Sequence, residues 1–361
     1  MGGAGMADLA VNAPLEGRRC SAGSGGAMTD VASAYAAIDL GTNNCRMLIA
    51  RPDGERFRIV DSFSRITRLG EGLAETGILS VAAQERTLDA LRSCAEKIGR
   101  LGLVRSRHVA TEGCRRAGNG LEFLATVYRE TGLTIECISP AEEACLALVG
   151  CSGLFSAGAS SIFLFDIGGG STELVLIVQG ASGLRVEGFM SLPFGVVTVA
   201  DACGGGDFAY RTYREVCTRI RSMVQPFGAR HNLAERVTTG QLQVVGTSGT
   251  ITTLGAFHLG LTRYDRAAVD GLDVSCAAIL DAGQRLMGMT ARQRADSPCI
   301  GPQRADLVIA GCAILEAVFS LWPGGSLTIA DRGLREGLLM GLMGVRNTPA
   351  DFGMECISQV Y

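Results

Sequence analysis

Two similar α/β domains are predicted by three features of this chain. An apolar strand that ends on an aspartate, runs into a glycine-rich turn and continues as a second apolar strand occurs twice, at Ala36–Ala50 and at Ile162–Val178. Between and after these repeats, strands alternate with amphipathic helices, the pattern of a mostly parallel sheet flanked by helices. At 361 residues, of which 47% are hydrophobic, the chain has material for two cores.

The elements follow in order. Residues 1–33, rich in Gly, Ala and Ser, read as a disordered tail; Arg18 and Arg19 are not followed by the apolar core of a secretory signal, and Met28 is an alternative start. The first strand ends at Asp39 and turns through Gly41-Thr42-Asn43-Asn44. Val60 to Gly77 reads as strand and loop, with a turn at Gly70-Glu71-Gly72. A helix begins near Ser80, where Leu88, Leu91, Ala95 and Ile98 share a face. A short strand at His108–Thr111 enters a loop, Glu112 to Gly120, that holds Arg115 and Arg116; a helix over Leu121–Glu130 and a strand over Leu133–Ile138 follow. Ser139-Pro140-Ala141-Glu142 is a capping-box helix start, with Glu142 expected to reach back to the N-cap amide and Glu143 left free. The second half opens on the Asp166 strand and the turn Gly168-Gly169-Gly170-Ser171-Thr172-Glu173. A strand at Phe189–Leu192, helices over 208–224, 275–289 and 303–322, strands at 244–247 and 327–330, and a closing helix over 333–342 complete the chain. The expected division is 34–155 and 156–345, with 346–361 as a C-terminal tail.

An ionised carboxylate at the end of a buried strand is costly unless a cation or N–H donors compensate it. Glycines directly after it let backbone N–H groups approach an anion closely. Phosphate plus a divalent metal between the two turns is the simplest chemistry that satisfies both. Other chemistries are disfavoured by what the chain lacks. Lys97, the sole lysine, is followed by Ile98, so there is no Walker A motif. The three histidines lie far apart in sequence, which argues against a histidine zinc site or a His-dependent triad. Thirteen cysteines without a CxxC pair suit a reducing compartment, and cytoplasm is the default location. A net charge of −3 argues against a general nucleic-acid binder, and no apolar run reaches the ~18–20 residues of a membrane helix.

The turns resemble the phosphate loops of the actin-like ATPase and sugar-kinase superfamily, which has two RNase H-like domains flanking an interdomain cleft. Within it the chain resembles the exopolyphosphatase / guanosine pentaphosphate phosphohydrolase (Ppx/GppA) family. The resemblance rests on Ile38–Asn43, Arg68–Gly72, Ala110–Asn119, Ile138–Ala144, Asp166–Glu173, Ser191-Leu192-Pro193 with Gly195, Gly246–Thr250 and Gly333–Gly337, in family order over 35–342. The chain departs from the family pattern at Asn44, Cys145 and Thr198, and it resembles the short, two-domain form, without the helical half and HD motif of larger members.

The resemblance implies Mg²⁺-dependent hydrolysis of a terminal phosphoanhydride, with inorganic polyphosphate or pppGpp as substrate. It makes Glu143 the general base, a residue that on its own reads as a solvated first-turn glutamate on the helix dipole. Asp166 and Glu173 would hold the metal with Asp39 behind them. Gly41, Thr42, Asn43, Asn44, Gly168, Gly169, Gly170, Ser171 and Thr172 would surround phosphate oxygens, and Arg115 would give a bidentate phosphate contact. Arg65, Arg68 and Arg335 read equally as an anion path or as surface salt links. A homodimer is compatible with all of this. Two other readings stay open: an ATP-dependent kinase with an adenosine pocket at Gly246–Thr250, and a non-catalytic sensor of pppGpp or ppGpp.

Overall fold

The computed structural model describes residues 34–354 apart from 55, 103, 182, 206–208, 323 and 347, so the expected N-terminal tail and residues 355–361 lie outside the described residues. The first sheet, in the order β3-β2-β1-β4-β5, contains β1 Ala34–Leu40, β2 Asn44–Asp53, β3 Arg56–Ile66, β4 Val104–Ala110 and β5 Glu136–Cys137. The second, in the order β10-β11-β9-β6-β7-β8, contains β6 Ser161–Ile167, β7 Thr172–Gly180, β8 Gly183–Leu192, β9 Leu242–Thr247, β10 Asp273–Ser275 and β11 Ser326–Ala330. Both sheets share one plan. Three antiparallel strands form a meander, and a parallel strand (β4 or β9) joins the other side of its first strand.

The central strands are apolar along nearly their whole length because both faces are covered. On one face of the first sheet Ile38, Leu40, Met47 and Ile49 pack against the Val81–Gly99 and Gly120–Thr131 helices through Leu88, Leu91, Phe123 and Val127. Ala37, Leu48, Ala50 and Val109 form the other face and meet Leu334, Leu338 and Leu339 of the closing helix. In the second sheet Phe163, Phe165, Leu174 and Leu176 look toward the Tyr210–Arg230 and Val308–Phe319 helices, while Ile162, Leu164, Val175 and Ile177 look toward the Pro140–Cys151 helix. Side chains alternate along a strand. Asp39 therefore shares the face of Ala37, and Asp166 the face of Leu164. Both aspartates fall on the inner faces.

The two inner helices cross the expected division at 155/156. Pro140–Cys151 packs on the second sheet and Leu334–Leu342 on the first, and they meet through glycines. A Cβ on Gly150 would lie 1.9 Å from the Gly333 carbonyl oxygen, and one on Gly337 2.0 Å from that of Leu146. Only hydrogen side chains allow this approach.

Several elements differ from expectation. The strand at Leu133–Ile138 shrinks to Glu136–Cys137, and the loop after Thr111 contains a short helix, Glu112–Arg116. The helix expected over 303–322 spans only Val308–Phe319, because Gly301 at φ 72° and the adjoining turns delay its start. The helix expected to end at 224 runs to Arg230 through Pro226, since Phe227 beyond it is buried against Phe163. Glu142 does not reach back to the N-cap: Ser139 Oγ accepts from the Glu142 amide, but the Glu142 carboxylate accepts from Arg107 at 2.6 Å. The segment expected as a C-terminal tail is partly packed, with Phe352 and Met354 buried against the Pro140–Cys151 helix and the second sheet.

Candidate active site

Between the inner faces lies an open cleft with a cavity volume of about 140 Å³, lined by both glycine turns, by Glu143 and by the β9 and β11 ends. The two turns are built alike. In the first, the Gly41 amide donates to the Asn44 carbonyl at 2.9 Å; in the second, the Gly168 amide donates to the Ser171 carbonyl at 2.9 Å. Each turn also has its carbonyls drawn backward. Amides of Thr67 and Arg68 donate to Asn43 O and that of Gly70 to Thr42 O, while amides of Val196 and Val197, at the start of a helix, donate to Gly168 O and Gly169 O. With its oxygens turned away, a glycine turn presents its N–H side, the arrangement that binds anions.

The turns touch each other. A Cβ on Gly169 would lie 3.0 Å from the Asn43 nitrogen, and one on Gly170 2.6 Å from Thr42 Oγ1 and 2.8 Å from Glu112 Cγ. Thr42 Oγ1 and Asn43 Oδ1 are buried without a hydrogen-bond partner although both residues line the cleft, and so is Ser248 Oγ on the third turn, after β9. Unpartnered buried polar atoms are costly unless something else occupies the cleft.

Four carboxylates, Asp39, Asp166, Glu173 and Glu143, lie in or behind the cleft. Asp39 on β1 lies opposite Arg46 on β2, whereas Asp166 on β6 lies opposite Glu173 on β7. Burial, then the charge of Asp39, pushes Asp166 up to about 6. Burial and Asp166 push Glu173 up to about 7. Burial also raises Asp39, against the pull of Arg46 and Arg335. Glu143, its side chain 12% exposed, is raised well above the ordinary carboxylate range by burial and then by Glu173, with Arg115 opposing.

The fit of Mg²⁺ follows from this donor set. Among the described residues no three acidic, histidine or cysteine side chains form a ready metal cage. Mg²⁺ requires less: one or two carboxylates, with waters and phosphate oxygens completing its shell. Asp166 and Asp39 line the cleft and could supply them; burial raises the pKa of both, and a divalent cation would favour their ionised form. Glu173 does not line the cleft; it lies behind Asp166 and accepts from Ser191 Oγ at 3.0 Å.

Gly41, Thr42, Asn43, Asn44, Gly168, Gly169, Gly170 and Ser171 all line the cleft. Two expected phosphate ligands do not. Thr172 is fully buried and donates to the Phe194 carbonyl at 2.6 Å, because the residue after the turn already points into the sheet. Arg115 is committed to Glu112 at 2.8 Å, to the Ile138 carbonyl at 2.6 Å and to Glu143 at 3.3 Å, so it positions Glu143 and does not face the cleft. Of the candidate path arginines, Arg335 lines the cleft, Arg68 bridges to Asp306 at 2.8 Å, and Arg65 stacks over Phe63.

The sequence reading missed Arg46 and Arg304, which also line the cleft. The signal for Arg46 was present: in a hairpin closing at Asn44 it shares the inward parity of Asp39. Arg304 was hidden inside an expected helix.

A model of the Ppx/GppA phosphatase family matches residues 48–345. Exopolyphosphatase 2 of Mycobacterium tuberculosis is 33% identical over 326 residues, covering 86% of this chain and 98% of its own. A guanosine-5'-triphosphate,3'-diphosphate pyrophosphatase of Aeromonas hydrophila is 31% identical over 86% of this chain but 59% of its own length. The crystal structure of the Aquifex aeolicus Ppx/GppA member has a TM-score of 0.67 at 28% identity, covering 86% of this chain and 97% of that one. An exopolyphosphatase structure from Cytophaga hutchinsonii, at 21% identity, shares the fold with a TM-score of 0.77 over 88% of this chain and all of that one. Paired aspartate turns, a buried glutamate beside them and a family match spanning both sheets converge: the chain belongs to the Ppx/GppA phosphatase family.

Proposed function

We propose that the protein is a Mg²⁺-dependent phosphoanhydride hydrolase that releases terminal orthophosphate from inorganic polyphosphate, or the 5′-terminal phosphate of pppGpp, with Glu143 as general base. The observation that carries this reading is the meeting of two matched anion-binding turns beside one buried glutamate held by Arg115. The substrates come from the relatives, an exopolyphosphatase and a guanosine-5'-triphosphate,3'-diphosphate pyrophosphatase.

In this reading the turn amides with Thr42, Asn43 and Ser171 hold the end phosphoryl group. Asp166 and Asp39 would hold Mg²⁺, whose charge would offset that of the terminal phosphate oxygens. Glu143 orients a water and takes its proton as the water oxygen bonds to the terminal phosphorus. The bridging P–O bond breaks, and the electron pair leaves with the oxygen of the shortened chain. Such catalysis is mainly positioning and charge neutralisation. Arg115 fixes the base without touching substrate.

Parallel phosphate-release assays on tripolyphosphate, medium and long polyphosphate, pppGpp and ATP test the reading, with Glu143→Gln alongside. Release from polyphosphate or pppGpp is expected, falling about 10²–10⁴-fold in the variant while its thermal melt stays that of the parent. Full activity in Glu143→Gln removes the base, and no release from any of these compounds removes the function.

A further inference from the structure

A second, open groove of about 260 Å³ lies on the seam between the two halves, walled by Ser64 and Ile66 at the end of β3 and by the segment from Ile300 to Arg304 opposite. Arg304 lines both this groove and the cleft. The sheet register makes the connection on the other wall: Asp39 lies opposite Arg46, Arg46 opposite Ser64, and the cleft residue Asn44 opposite Ile66. Strands are spaced about 4.7–4.9 Å apart, so the row Asp39–Arg46–Ser64 runs roughly 10 Å outward from the cleft floor to the groove.

Along that row an acid, Asp39, is followed by a cation, Arg46, and then by the neutral Ser64. Arg46 and Arg335 act on Asp39 within the cleft, while Arg304 borders both cleft and groove. Among the described residues Arg304 is not within ion-pair distance of a carboxylate, and its guanidinium donates to Thr253 Oγ1 at 3.0 Å. The groove walls carry no acidic side chain, and the nearby Asp306 is neutralised by Arg68 at 2.8 Å, a bridge that ties the same two segments together.

We propose that this seam groove is a second anion-binding site, which holds the body of a linear polyphosphate chain while its end sits in the cleft. The inference rests on the hydrolase reading above and adds the path by which a substrate longer than the cleft leaves it. Ser64 and Gln303 are exposed, so charge can be placed there without disturbing a core.

The double variant Ser64→Glu, Gln303→Glu is compared with the parent on tripolyphosphate and on long-chain polyphosphate. kcat/KM on the long chain is expected to fall about tenfold, the effect of two like charges set against a polyanion, with tripolyphosphate within about twofold. Ser64→Lys, Gln303→Lys should move the long-chain value the other way. Equal loss on both substrates, or no loss on either, overturns the groove. A parent that hydrolyses neither substrate refutes the hydrolase reading instead. Calorimetric titration with long-chain polyphosphate then decides the groove alone, since binding weakened in the acidic double variant supports it and unchanged binding overturns it.

Discussion

The two glycine hairpins are the same length, close with the same 2.9 Å amide-to-carbonyl bond and carry an aspartate one residue before the end of their first strand, yet the residue facing that aspartate is of opposite charge in the two. Opposite Asp39 stands Arg46; at the matching position opposite Asp166 stands Glu173. The first hairpin sets a cation across from its carboxylate, which opposes the rise that burial causes. The second doubles the charge and leaves it buried, so it is the half that demands a cation from outside. A repeat of backbone thus becomes a division of labour through one side chain in each copy.

The sharpest way to break the comparison is to add one methyl group to each turn. Gly41 has only ordinary contacts around its would-be Cβ, Asn44 O at 3.5 Å and Asp39 Oδ1 at 3.9 Å, whereas Gly170 faces Thr42 Oγ1 at 2.6 Å. Gly170→Ala should therefore force the turns apart and cost about 10²-fold in phosphate release. Gly41→Ala should stay within about threefold, under ~1 kcal/mol of activation energy. Equal losses would mean that contact between the turns is unimportant.

Charge gives the next largest effect. Glu173→Gln keeps the shape behind Asp166 and removes one negative charge, and should raise the Mg²⁺ concentration for half-maximal activity by about tenfold. Arg46→Met tests the opposite hairpin, and should weaken substrate binding more than it changes the Mg²⁺ requirement.

The same asymmetry sets the pH dependence of stability. Asp166 and Glu173, raised to about 6 and about 7, hold protons in the fold that the unfolded chain has already released. The folded state binds more protons, so stability falls as pH rises from about 4 to about 7. Thermal melts of metal-free protein should decline across that window, and Mg²⁺ should raise them most at its alkaline end. In Glu173→Gln the decline should be shallower; an unchanged slope would show that this pair does not govern it.

The smallest effect belongs to Thr172. Thr172→Val loses its bond to the Phe194 carbonyl and should cost about 1 kcal/mol of stability, read as a lowered melting temperature, with phosphate release within about twofold.

Much of this was legible in the chain because it is local. An aspartate ending an apolar strand, followed by glycines, fixes a hairpin whatever surrounds it, and Ser139-Pro140 fixes a helix start. Arg115 shows where locality ended. The family resemblance pointed it to phosphate, but its acceptors are Glu112, one turn back in the same short helix, and Glu143 and the Ile138 carbonyl, brought in from farther along the chain. Glu142 was claimed by Arg107 in the same way.

By itself the sequence determined the two hairpins, their glycine turns and the identity of the acids, since backbone preference and side-chain period are short-range. Only the tertiary structure decided which cations meet those acids, that the inner helices cross at Gly150 and Gly333, and that Arg304 joins cleft to groove. Those pairings join residues outside one another's local element, where burial and Coulomb attraction act through space and leave no periodic mark on the chain.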